Sequence, residues 1–89
     1  MRIEFDPAKN RRNIELRGLS FELVAEFEWE SAIVGIDDRR NYGETRYWVL
    51  GEVGGRLFKA VVTLRADRMR VISLRRASRK ERRAYAAKA

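Results

Sequence analysis

The chain has 89 residues, enough for one domain around a modest core and too few for two. A composition of 45% hydrophobic residues argues against wholesale disorder, and the lack of cysteine excludes disulfides and thiolate zinc sites, which fits a reducing, cytoplasmic setting. The net charge of +7 sits in the last quarter of the chain: residues 1–64 hold ten basic and eleven acidic side chains, residues 65–89 ten basic and two acidic, a footprint expected for RNA, DNA, an acidic protein or an anionic membrane.

MRIEF alternates, with Ile3 and Phe5 on one face, as a short strand does. DPAKNRRNIELRG then carries three helix signals. Asp6 caps the first free amides, Pro7 has the φ of a first helical turn, and Gly18 takes a left-handed stop. Ser20 opens a second helix as its N-cap, with Glu22 near the positive end. Phe21, Val24 and Ala25, extended by Leu23 and Phe27, form its buried side.

AIVGID is a short β-branched strand that ends in the turn-like DDRRNYGE. TRYWVLGEV and RLFKAVVTLR follow as longer strands, and Gly54-Gly55 between them is a hairpin signal. A second tight connection near Asp67 leads into MRVISLRR, and three strands joined this closely form an antiparallel meander. Ser78-Arg79-Lys80-Glu81 has the form of a capping box and opens a last helix from about Arg79 to Ala87. The expected fold is α+β, one domain over residues 1–89 in the order β-α-α-β-β-β-β-α, with a mainly antiparallel twisted sheet and helices packed on it. No apolar run approaches the roughly 20 residues that span a bilayer, and MRIEFD lacks a signal-peptide core, so no membrane partner is expected.

Strict alternation along MRVISLRR puts Val71, Ser73 and Arg75 on one face and Arg70, Ile72, Leu74 and Arg76 on the other. Arg75 and Arg76 therefore diverge whichever face is buried. On the last helix Arg79, Arg82 and Arg83 form one cationic stripe, with Tyr85 beside it or toward the core. Glu26, Glu28, Glu30 and the Asp37-Asp38 pair read as solvated faces, and Trp29 and Trp48 as core or interface anchors.

With neither histidine nor cysteine, imidazole acid–base catalysis, Ser-His triads and thiol nucleophiles are excluded. RNA cleavage stays open, because the 2′-hydroxyl is an internal nucleophile. Guanidinium groups can align the strand and stabilise the added charge on a pentacoordinate phosphorus, with no metal or cofactor expected. Proton transfers then fall to a carboxylate, a tyrosine, a lysine or water. DNA lacks that hydroxyl and would be bound but not cut. A DNA-binding regulator is a weaker reading, because no recognition helix with a supporting helix stands out near the C-terminus.

Several segments together resemble the BrnT family of bacterial toxins, ribonucleases of type II toxin–antitoxin systems with a RelE-like fold. They are the opening strand with FDPAKNRRN, then Gly18-Leu19-Ser20-Phe21-Glu22, then Glu44-Thr45-Arg46-Tyr47. The closest likeness is the run from Val71 to Tyr85, similar to the family's I-S-x-R-[RK]-A-[ST]-x-x-E-x-x-x-Y. The resemblance implies RNA cleavage that shuts down translation and neutralisation by a BrnA-type antitoxin, with operator DNA contacted only through the antitoxin complex. It leaves a homodimer or a larger toxin–antitoxin assembly open. Carried over onto this chain, the catalytic candidates are Arg65, Arg75, Arg76 and Tyr85, and the RNA-binding candidates Arg17, Arg46, Arg79, Arg82 and Arg83. One departure stands out. Family members commonly read N-x-x-K-H-G at the end of the first helix, where this chain has Leu16-Arg17-Gly18. That difference keeps a second reading in view, a catalytically inactive relative that still binds RNA or antitoxin.

Overall fold

The computed structural model describes residues 2–88, as β1 (Arg2–Glu4), α1 (Pro7–Arg17), a 3₁₀ helix (Phe21–Glu26), β2 (Ile33–Asp37), β3 (Arg46–Val53), β4 (Arg56–Arg65), β5 (Arg68–Arg76) and α2 (Arg79–Lys88). The strands form one five-stranded mixed sheet in the order β1-β5-β4-β3-β2. β2, β3, β4 and β5 pair antiparallel in succession, and β1 lies parallel to β5. The fold is α+β.

Local chemistry accounts for the element ends. The Asp6 carboxylate accepts from the Ala8 amide at 2.9 Å, Pro7 starts α1, and Gly18 closes it in the left-handed region. Gly54 and Gly55 both have positive φ, 58° and 79°, as a two-residue hairpin turn between right-twisted strands requires. At the far end, the Ser78 hydroxyl accepts from the Glu81 amide at 3.1 Å while the Glu81 carboxylate accepts from the Ser78 amide at 2.8 Å, a complete capping box.

One face of the sheet carries the core. Phe21, Val24 and Phe27 pack on Val49, Phe58, Ala60, Val62, Val71 and Leu74. The three residues from the second helical segment are spaced by three, the period of a 3₁₀ helix rather than an α-helix. Phe27 lies inside as expected, and the one correction to the expected buried side is Ala25, which faces solvent. α1 buries no side chain fully and is tied down by polar anchors instead. Asn10 Oδ1 accepts from the Phe21 amide at 2.7 Å, and Asn13 Nδ2 donates to the Leu19 carbonyl at 2.9 Å.

β5 is not regular. Val62 pairs with Val71 but Val61 pairs with Ser73, so Ile72 is an extra residue and the strand bulges there. The bulge overturns the strict alternation expected for this strand. Val71 and Leu74 both reach the core, while Ser73 and Arg75 lie on the far face. Opposite Ser73 and Arg75 across β4 stand Val61 and Lys59, and beyond them on β3 stand Trp48 and Leu50. The Trp48 indole lies directly over Gly35, where a side chain would collide with the ring. α2 crosses this far face, and the hollow beneath it, about 350 Å³, is lined by Trp48, Leu50, Lys59 and Ala84 among others.

Candidate functional site

The strand positions just described bring cations together. On the far face a concavity of about 140 Å³ is lined by Arg17, Arg39, Lys59, Arg75, Val61 and Ser73. Each cation comes from a different element. Arg17 is the last residue of α1, with one guanidinium nitrogen 3.5 Å from the Leu74 carbonyl. Lys59 lies in the middle of β4, Arg75 near the end of β5, and Arg39 just after β2.

Two carboxylates hold Arg39, Lys59 and Arg75 in place. Arg75 donates both arms of its fork to Glu81, at 2.7 and 2.8 Å, and Lys59 lies 3.4 Å from the same carboxylate. Glu81 thus both caps α2 and clamps it to the sheet. The Arg75 fork, joined by the Ser78 amide and the charges of Arg75 and Lys59, outweighs burial and lowers the Glu81 carboxyl to about 2. Bonding to Glu81 raises Arg75 in turn. Asp37 is buried and takes both arms of Arg39 at 2.7 Å, with the Tyr42 hydroxyl donating to it at 3.3 Å. Hydrogen bonding from Arg39 is the main cause that brings Asp37 to about 2. Four cations face two carboxylates, so the hollow keeps a net charge of +2. The expectation that Asp37 lies on a solvated face is corrected by this pairing, since a buried carboxylate needs the donors it has.

These shifts fix a pH dependence. A carboxyl depressed on folding contributes stability that is complete above its unfolded value and lost as pH falls through its folded value. For Glu81 that window runs from 4.5 down to about 2. Acid titration followed by circular dichroism is expected to show Glu81→Gln losing less stability across that window than the parent chain.

Of the nine arginine and tyrosine candidates read from sequence, the concavity gathers Arg17 and Arg75. Arg76 points to the core face, opposite Phe58. Arg65 lies six residues along β4 from Lys59, about 20 Å at strand rise. It shares Glu44 with Arg46, each at 3.3 Å. Burial pushes Glu44 up, but hydrogen bonds from the two arginines prevail and lower its carboxyl. Arg46 also stacks over Tyr42, 4.0 Å from the ring centre. On α2, Arg79, Arg82 and Arg83 are exposed, with Arg82 donating to the Ala77 carbonyl at 3.0 Å, and half-buried Tyr85 does not line the cationic hollow.

Sequence reasoning missed Arg39 and Lys59. Lys59 carried a signal, as a lone cation inside the apolar run RLFKAVV, in phase with Val61. Arg39 carried none beyond its place in a polar turn. Among the described residues no three acidic side chains gather as a metal site would need. Compared with known protein families, residues 5–81 match the family described as "Ribonuclease toxin, BrnT, of type II toxin-antitoxin system". No curated protein matches the chain.

Proposed function

The chain belongs to the BrnT family of ribonuclease toxins of type II toxin–antitoxin systems, and on that premise we propose that it cleaves RNA in the hollow formed by Arg17, Arg39, Lys59 and Arg75. The observation that carries the proposal is the convergence of four cations from four elements on one concavity with charge to spare. The 2′-oxygen attacks the adjacent phosphorus and the bond to the 5′-oxygen breaks, giving a 2′,3′-cyclic phosphate and a 5′-hydroxyl. The 2′-hydroxyl gives up its proton and the leaving 5′-oxygen gains one. The positive charges of Arg17, Arg39, Lys59 and Arg75, with the N–H groups that Glu81 and Asp37 do not occupy, stabilise the added negative charge and need no metal to do so. Glu81 and Asp37, ionised and held by arginines, do not donate that proton at neutral pH. Lys59 and water are left to move it.

A type II system implies a protein antitoxin as partner. In this reading the partner is a BrnA-type, DNA-binding antitoxin, the cut RNA lowers translation in the cytoplasm, and the 1–89 unit is one RelE-like domain. Arg46 and Arg65, with the α2 arginines, guide the strand electrostatically rather than touching the reacting phosphorus.

Purified chain is expected to cut RNA in EDTA and to leave cyclic phosphate ends, and a 2′-deoxy residue at the cut position is expected to block the cut. Intact RNA, together with unaffected growth on expression without antitoxin, would sink the proposal. Arg17 supports one alternative. It stands where family members commonly carry histidine, and a guanidinium stays protonated and cannot relay a proton. RNA binding without any cutting would establish that inactive-relative reading instead.

A further inference from the structure

RNA carries a phosphate at every nucleotide, so a site that grips one phosphorus has its neighbours close by. A second concavity, of about 220 Å³, adjoins the first and shares Arg17 and Ser73 with it. Its walls are the α1 residues Lys9, Arg12 and Leu16 on one side and the bulge residue Ile72 on the other. Residues 9, 12 and 16 are spaced so as to share one face of α1. Among the described residues, Lys9, Arg12 and Arg17 form no ion pair, unlike Arg39, Arg75 and the arginines on Glu44 and Glu4. Leu16, 75% exposed, and half-buried Ile72 give an apolar wall suited to a base or ribose. The extra residue of the bulge, Ile72, and Ser73 after it both line this concavity.

Resting on the ribonuclease reading, we infer that this α1 concavity is a second RNA subsite, in which Lys9 and Arg12 hold the phosphate next to the one being cut and Leu16 and Ile72 face its nucleotide. Continuity with the reaction hollow through Arg17 and Ser73 favours RNA over an acidic protein. The subsite makes strand binding depend on α1, an element that contributes no fully buried side chain to the core.

The test is equilibrium binding of a short single-stranded oligonucleotide with 2′-O-methyl riboses, which cannot be cut, over a range of salt. Each phosphate contact on a single strand adds about 0.7 to the slope of log K against log salt. Lys9→Ala/Arg12→Ala is expected to make that slope shallower by about 0.7, the one phosphate that the two residues hold between them. The control Arg11→Ala/Arg56→Ala removes the same charge from exposed residues outside the concavity and is expected to leave the slope unchanged. Both pairs replace arginine or lysine with a better helix former or act at a turn, so both should fold.

An unchanged slope for the first pair, or equal changes for both, overturns the subsite while the ribonuclease reading stands. Loss of poly-glutamate binding without loss of oligonucleotide binding overturns it in favour of an acidic protein. A parent chain that binds no oligonucleotide overturns the ribonuclease reading as well.

Discussion

Arg75→Ala is expected to lower the rate of RNA cleavage by about 10²–10³-fold, the loss that follows when one preset donor to a developing oxyanion is removed. Arg76→Ala is expected to leave it nearly unchanged, although the two residues are neighbours of the same charge. The difference follows from the strand. Arg75 lies on the far face in the cationic hollow, with its fork fixed by two bonds to Glu81, whereas Arg76 sits opposite Phe58 on the core face. The effect should fall on kcat more than on KM, since the added charge appears only in the transition state. One confounding cause has its own control. Removing Arg75 leaves the Glu81 carboxylate with Lys59 and the Ser78 amide as its partners. If repulsion by Glu81 caused the loss, Arg75→Ala/Glu81→Gln would recover activity, and if lost stabilisation caused it, the double variant stays slow. Arg75→Lys keeps the charge without the fork and should fall between. Cleavage by Arg75→Ala within a fewfold of the parent chain would remove Arg75 from the reaction.

The same strand shows which features the sequence could reveal. Helix starts and stops were legible because they are written locally: Asp6, Pro7 and Gly18 bracket α1, and Ser78 with Glu81 opens α2. The hairpin at Gly54-Gly55 was legible for the same reason. The second helical segment was legible in place but not in kind, because Phe21, Val24 and Phe27 follow a period of three that reads as a slightly irregular amphipathic α-helix.

The site was harder to read, since it is made of partners that lie far apart along the chain. Arg17 and Arg75 are brought together because α1 ends beside β5, which no spacing announces. Lys59 and Arg39 enter through strand register and a buried carboxylate. Charge counting had placed the excess in the last quarter of the chain, yet much of that charge is spread over α2 or neutralised at Glu4 and Glu44. The net charge that matters belongs to a hollow built from all parts of the chain.

Leu74→Ala is expected to destabilise the protein by about 2–5 kcal/mol, the range for deleting a fully buried leucine side chain. At roughly 4–8 °C per kcal/mol for a domain of this size, Tm should fall by about 10 °C or more. The prediction tests the bulge directly. If β5 alternated regularly from Val71, Ser73 would share its face and Leu74 would lie on the other side, so the truncation would cost far less. With Ile72 inserted, Leu74 is 0% exposed and pairs with Ala60, itself 0% exposed, so the truncation removes side-chain volume from the packed core. Ser73→Ala is the matched control, because Ser73 is exposed on the far face and its loss should shift Tm little. The pairing also ties stability to chemistry. Leu74 anchors the stretch that aims Ser73 and Arg75 into the cationic hollow, so cleavage by Leu74→Ala should decline even well below its lowered Tm. A melting scan in which Leu74→Ala and Ser73→Ala shift equally would mean that β5 runs without a bulge and that Arg75 faces the other way.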